Sequence, residues 1–292
     1  MQSICLSSIG YVHGDRRSIA ELGEDGAVEL TAPEHGLADY RHSDLPTWQL
    51  AVRAAGRTLA DCPEPPDLLI YVSENDGDRP DSLARIMDGL GLPDVHPLAL
   101  SGHGCGNLGP ALRVAADALH AGSHRRVLLI LADRATTGSR MMASGLSVFS
   151  DGAAACLVTA GAGHDDDGHR FTVVGNVVRS TSERPGMLSL AQLAQDCVNR
   201  LRHSTGLRPD DFDHVLFSNY RIVSQRFLVA ATGVAPDRLL LGPIADYGHC
   251  FSADILVTLD RYARDGRVRS GDRLLAATTG THSWSALAVQ RL

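Results

Sequence analysis

Hydrophobic and polar positions alternate in blocks along the chain, and each block carries the period of one element type. The segment 2–9 (QSICLSSI) predicts a strand. Residues 47–62 (TWQLAVRAAGRTLADC) carry a helical stripe with Thr47 as N-cap. A strand follows at 66–73, then a helix at 79–91 that stops on glycine. HPLALSG at 96–102 predicts a buried strand, and NLGPALRVAADALHAG at 107–122 a helix. RRVLLILAD at 125–133 and DGAAACLVTA at 151–160 have continuous apolar centres, as expected for strands covered on both faces. The tract AGAGHDDDGH at 160–169 predicts a surface connection. Beyond it the plan repeats: strand 171–178, helix 189–206, strand 213–220, helix 222–233, strand 238–244, helix 251–266, and a closing pair of strands from 272 onward. Alternation of this kind predicts α/β layers. The two units run over 1–165 and 166–292.

The duplication extends to chemistry. Gly102-His103-Gly104-Cys105 precedes a helix in the first unit, and Gly248-His249-Cys250 precedes a helix in the second. A cysteine at a strand-to-helix junction feels the positive end of the helix dipole, which favours the thiolate. The glycines around it leave room for a sharp turn and a close substrate. Cys105 is therefore the candidate nucleophile, against the alternative of a Gly-rich turn with an incidental buried cysteine.

Composition narrows the picture. The chain has 292 residues, 44% hydrophobic and 21% charged, with a formal net charge of -7. An acidic chain has no global attraction for nucleic acid or an anionic membrane. No apolar run reaches the ~18 residues of a membrane helix, and the N-terminus lacks the pattern of a secretory signal. The six cysteines form no C-x-x-C pair, so no metal site and no disulfide scaffold is expected, and the expected compartment is the cytoplasm. Cys5, Cys156 and Cys197 read as small buried hydrophobes.

Four stretches resemble the β-ketoacyl-acyl carrier protein synthase III enzymes of the thiolase superfamily: LALSGHGCGNLGPALRVAADAL, SVFSDGAAACLV, DYGHCFSADI and GDRLLAATTGTHSWSALAV. The resemblance covers nearly the whole chain in order. It implies a thiolase fold, two duplicated βαβαβαββ halves in a layered α-β-α-β-α sandwich, with the nucleophile on Cys105. It also implies a homodimer and no resident cofactor, the acyl thioester of CoA or phosphopantetheine entering as substrate.

The departures from the family redirect the chemistry. The family pairs its cysteine with a histidine and an asparagine for decarboxylation of a malonyl group. The histidine position falls on Ser218, with Asn219 beside it, and the asparagine position falls on His249. That leaves Cys105 and His249, with Ser218 or Asn219 as a polar third. A neutral imidazole can deprotonate an acceptor near pH 7. The expected reaction is acyl transfer from a CoA or carrier-protein thioester through Cys105 to an oxygen or nitrogen acceptor, itself a small molecule or carrier-bound, in natural-product biosynthesis. The alternatives are a decarboxylative condensing ketosynthase and a silent partner subunit of a ketosynthase-like heterodimer.

By alignment on Trp284, the family's oxyanion hole maps to the N–H groups of Cys105 and Gly280. His103 and His282 are further candidates for the pocket. The family's CoA-binding tryptophan has no counterpart in residues 30–36, and its arginines fall on Ala143 and Val223. Arg140 and Arg221 lie close enough in sequence to replace them as phosphate contacts. Met141 and Met142 are expected either to line an adaptable apolar pocket or to pack an interface.

Overall fold

The computed structural model describes the chain apart from residues 1–2, 61, 63, 137, 143–144, 162–168 and 183–186. The expected boundary at 165/166, most of the connection at 160–169, and Ala143 lie outside the described residues.

The first unit contributes β1 (Ile4–His13), a short hairpin of β2 (Asp15–Ser18) and β3 (Asp39–His42), α1 (Thr47–Leu59), β4 (Leu68–Val72), α2 (Arg79–Leu90), β5 (His96–Leu100), α3 (Leu108–His120), β6 (Arg126–Asp133) and β7 (Gly152–Ala160). The second contributes β8 (Phe171–Ser180), α4 (Met187–Thr205), β9 (His214–Phe217), α5 (Ile222–Thr232), α6 (Ile244–Tyr247), α7 (Asp254–Arg264), β10 (Arg273–Thr279) and β11 (Ser283–Arg291). Nine strands hydrogen-bond in the order β5-β4-β6-β7-β1-β8-β11-β10-β9. The halves meet along a short seam in which Ile4, Cys5 and Leu6 of β1 pair with Val173, Thr172 and Phe171 of β8.

Three apolar clusters define the layers. Leu50, Ala54 and Ile86 of α1 and α2 pack with Leu69, Leu128 and Leu157 on one outer face. Leu112 and Ala116 of α3, with Leu256 and Leu259 of α7, pack between the halves against Ile70, Leu129, Leu274 and Leu287. Val198 and Leu201 of α4, with Val229 of α5, cover Val215, Leu275 and Ala286 on the other outer face. The result is α-β-α-β-α. Strands β4, β6 and β7 sit between two helical layers, which is why they read as unbroken apolar runs.

Four expectations differ from the fold. Strand β5 is an edge strand: four of its five residues are exposed and Leu98 is 37% exposed, where a buried strand was expected. Residues 238–244 form no strand. Leu239 makes a single bridge to Val215, and Pro243 then leads into α6. Gly242 is pressed against Asn219 there, and a proline cannot donate to a ladder. Thr47 opens α1 as its first helical residue, and Pro46 occupies the cap position. The β2–β3 hairpin, too short and too exposed to show a period, was not anticipated.

Candidate active site

Cys105 sits in a 3-10 turn, Gly104–Gly106, that runs directly into α3. The second unit places an equivalent 3-10 turn, Phe251–Ala253, before α7. The two turns meet: Ser252 Oγ donates to the Gly104 carbonyl over 3.2 Å. The repeated motif seen in the sequence thus brings one helix start from each half to a common centre.

His249 arrives at that centre on a single parallel bridge to Phe149. Its backbone N–H donates to Val148 O (2.9 Å), and its carbonyl accepts from the Ser150 N–H (2.9 Å). The SVFSDG segment therefore serves as the splint for His249. The imidazole has no exposed surface, and its ring lies 5.3 Å from the Tyr220 ring, 5.7 Å from Phe149 and 5.9 Å from Phe251, centroid to centroid. Nδ1 bonds Asp254 Oδ2 over 2.5 Å. The same carboxylate accepts the N–H of Asn219 (2.7 Å) and that of Cys250 (2.8 Å), so its acceptor sites are satisfied although it is buried. Asp254 is also the first residue of α7, where the helix dipole favours an anion.

With Nδ1 held, Nε2 is the remaining ring nitrogen. It is buried and makes no full hydrogen bond. The Cys105 thiol nevertheless lies close enough to act on the ring both by charge and as a side-chain hydrogen-bond partner. Nε2 is thus the ring nitrogen left free, and Cys105 lies near the ring. Burial by itself lowers the imidazole pKa. The Cys105 sulfur and then the Asp254 carboxylate outweigh it, and the net shift is upward, to about 10. An imidazolium is thereby favoured whenever the sulfur is a thiolate. Cysteine, histidine and aspartate are thus gathered at one centre.

Asp254 was not singled out from the sequence. Its signal was the lone acid in the apolar run FSADILVTL, because a buried carboxylate requires a partner. Tyr220 was also missed. It is buried, its hydroxyl lies 3.2 Å from Thr279 Oγ1, and burial followed by the nearby Cys105 charge raises its pKa.

The remaining predicted residues fall into two groups. Ser218 lies at the end of β9; its carbonyl accepts the Tyr220 N–H over 2.6 Å, and its hydroxyl interacts with the Tyr220 hydroxyl beside Cys105. Asn219 supports Asp254 through its backbone N–H, and its buried side-chain amide lies beside Gly242 without a hydrogen-bond partner. Gly280 donates its N–H to Ser283 O over 2.9 Å, closing the β10–β11 turn. As the loop stands, that N–H is engaged and does not complete the expected oxyanion hole. What Gly280 does contribute is close approach: a Cβ there would lie 1.8 Å from the His103 carbonyl. His103 itself is half-exposed, its carbonyl held by the Gly106 N–H and the Ser283 hydroxyl. His282 is exposed on the same hairpin, its carbonyl accepting from the Thr181 N–H.

Arg140 is not available as a phosphate contact. Its guanidinium pairs with the buried Asp151 at 2.9 Å, donates to Phe149 O, bonds His42 Nδ1 and covers the Tyr40 ring. Arg221 caps α5, with its N–H on Leu146 O and its Nε on Ser224 Oγ. Met141 packs against the Ile19–Leu30–Ile244 cluster and Met142 against the cluster holding Tyr220 and Trp284. Among the described residues, no group of three or more His, Cys, Asp or Glu is arranged to hold a metal, and no helix is long and apolar enough to cross a membrane.

Residues 102–175 match the family model of 3-oxoacyl-[acyl-carrier-protein] synthase III, and residues 202–291 match that of its C-terminal part. Together these span more than half of the chain. A curated relative, β-ketoacyl-[acyl-carrier-protein] synthase III of Gloeobacter violaceus, is 26% identical over 280 residues, covering 82% of each chain. Two solved structures share the fold. One is 3-oxoacyl-[acyl-carrier-protein] synthase III of Aquifex aeolicus (TM-score 0.82, 18% identity, 98% of this chain and 99% of that one). The other is ChlB3, described as an acyltransferase (TM-score 0.84, 21% identity, 99% and 98%).

Proposed function

Because the chain belongs to the 3-oxoacyl-[acyl-carrier-protein] synthase III family of thiolase-fold proteins, we propose that it is an acyltransferase that carries its acyl group on Cys105 and delivers it to an oxygen or nitrogen acceptor. The observation that carries this reading is the buried His249 ring, bonded at Nδ1 to Asp254, with its Nε2 unpartnered and Cys105 close enough to act on it.

The thiolate attacks the acyl thioester, the new carbon–sulfur bond forms as the donor thiolate leaves, and His249 returns the proton to that leaving group. His249 then removes the proton of the acceptor hydroxyl or amine through Nε2. The acceptor attacks the acyl carbonyl and Cys105 leaves as thiolate. Asp254 holds the ring in the tautomer this requires and steadies the imidazolium. Phe149, Phe251 and Tyr220 surround the imidazole and keep water from competing with the acceptor. The donor is an acyl thioester of a carrier protein or CoA, and the acceptor that of a natural-product pathway. The exposed edge of β5, with Leu98 on it, offers the surface that a homodimer would cover.

Condensation is the second reading, favoured by the names of the curated relatives. Against it, Ser218 replaces the histidine of the family's decarboxylating pair. A silent partner subunit is disfavoured by the buried His249–Asp254 pair with an open Nε2, which a silent site does not need.

Intact-mass measurement after incubation with acyl-CoA and acyl-carrier thioesters tests the proposal. The wild type gains one acyl group on Cys105, Cys105→Ala gains none, and His249→Ala loads but releases it slowly to acceptor. Normal turnover by His249→Ala would remove the base assignment, and carbon dioxide released from a malonyl thioester would favour condensation.

A further inference from the structure

The turn that carries Cys105 is unusually dependent on outside support. Gly102 and Gly104 both adopt left-handed backbone, at φ of 96° and 56°, and neither has a side chain to restrain it. The position of the sulfur relative to Nε2 is therefore set by whatever pins this turn from elsewhere.

Asn107 provides the inner pin. It is fully buried; its Nδ2 donates to the Gly104 carbonyl (2.7 Å) and its Oδ1 accepts the His103 N–H (3.2 Å). The outer pin comes from the end of β4. Glu74 Oε2 accepts both the Gly102 N–H (2.9 Å) and Asn107 Nδ2 (3.0 Å). One carboxylate oxygen thus holds the backbone at the entry to the turn and the side chain that spans it. Bonds to an ionised acceptor are stronger than the neutral ones made by Ser252 and Ser283 on the same turn.

Glu74 is itself fixed. Asp133, at the end of β6, accepts the backbone N–H groups of Glu74 and Asn75 (2.9 Å each), the Ser73 hydroxyl (3.0 Å) and Asn75 Nδ2 (3.2 Å). The chain of contacts runs from β6 through the 73–75 turn to the nucleophile. Asp133 thus fixes the backbone from which the Glu74 side chain reaches the active-site turn.

We infer that Glu74 is a positioning residue for the nucleophile, acting through Gly102 and Asn107 to set the Cys105 sulfur against His249. The inference rests on Cys105 being the nucleophile. A misplacement of about 1 Å can cost up to roughly a hundredfold in rate, so a change at Glu74 is felt in the chemistry although Glu74 does not touch the reacting atoms.

The test compares Glu74→Ala and Glu74→Gln with the wild type. Peptide mass measures two rates at Cys105, acylation by an acyl-CoA thioester and alkylation by iodoacetamide. Alkylation of the half-buried Cys62 in the same molecules is the internal control. Glu74→Ala slows both reactions at Cys105 roughly tenfold or more while the Cys62 rate and the thermal midpoint hold. Glu74→Gln stays within about threefold of wild type, because an amide oxygen can accept the same two N–H groups. Cys105 reacting in Glu74→Ala within about twofold of wild type would overturn the inference. So would a parallel change at Cys62, which would mark general loosening. Failure of the wild type to acylate at Cys105 would instead sink the nucleophile assignment, and the alkylation arm would still decide the role of Glu74.

Discussion

Replacing Asp254 by asparagine isolates what the orienting carboxylate contributes. In the folded protein Asp254 Oδ2 accepts from His249 Nδ1 and the Asn219 N–H, and Oδ1 accepts from the Cys250 N–H. An amide has one acceptor atom, so either orientation points its NH2 at a donor. With oxygen toward His249, the Cys250 N–H loses its acceptor. In the other orientation the imidazole is driven to the tautomer with its proton on Nε2, which cannot act as base. The charge is lost in both. The nearby Cys105 sulfur and the Asp254 carboxylate raise the His249 pKa against the effect of burial, so removing the carboxylate removes part of what favours the imidazolium. An opposite charge in contact is worth about 1–3 pKa units, so the variant loses on the order of 1.4–4 kcal/mol of imidazolium stabilisation, roughly tenfold to a thousandfold. The assay is the pH dependence of Cys105 alkylation by iodoacetamide, with acyl loading followed by intact mass. The expected result is a Cys105 rate at pH 7 lowered by about tenfold to a thousandfold. Near-UV circular dichroism checks the fold, since an unsatisfied buried N–H costs about 1–3 kcal/mol. A folded variant whose Cys105 rate stays within about threefold of wild type would refute the assignment of Asp254 to the base.

Two more outcomes are accessible. Gly280→Ala places a methyl 1.8 Å from the His103 carbonyl, so either the β10–β11 hairpin or the Cys105 turn must shift; acylation is expected to fall at least tenfold, on the order of 1.4 kcal/mol or more, with a smaller change in thermal midpoint. Asp133 is buried, and burial raises its carboxyl from 3.8 to about 7 despite four hydrogen bonds. Its folded value lies above its unfolded one, so the stability it contributes is full below pH 3.8 and is lost as pH rises through 7. The wild-type thermal midpoint should therefore fall between pH 5 and pH 8, and Asp133→Asn, which keeps the acceptor oxygen without the charge, should flatten that fall; parallel curves for the two proteins would contradict it.

The strand and helix plan, the duplication and Cys105's place at a helix start could all be read from the chain, because each depends on periods and neighbours a few residues apart. Strands β4, β6 and β7 announced their burial as apolar runs, and the paired GH-x-C and GHC motifs located Cys105 and His249. Strand β5 looked the same in sequence and proved to be an exposed edge, since a strand's position in the sheet is set by its partners and not by its own residues. The arginine expected to bind phosphate, Arg140, was already held by Asp151.

What the sequence determined by itself was therefore the inventory: which elements form, which cysteine lies at a helix start, which histidine repeats its setting. The tertiary structure decided the partnerships, Asp254 with His249 and Glu74 with the Cys105 turn. A hydrogen bond or an ion pair needs its atoms within about 3 Å in a fixed orientation. Between β4, α3 and the start of α7 that distance is set by the packing of both halves around one shared helical layer, a property that no local stretch of the chain contains.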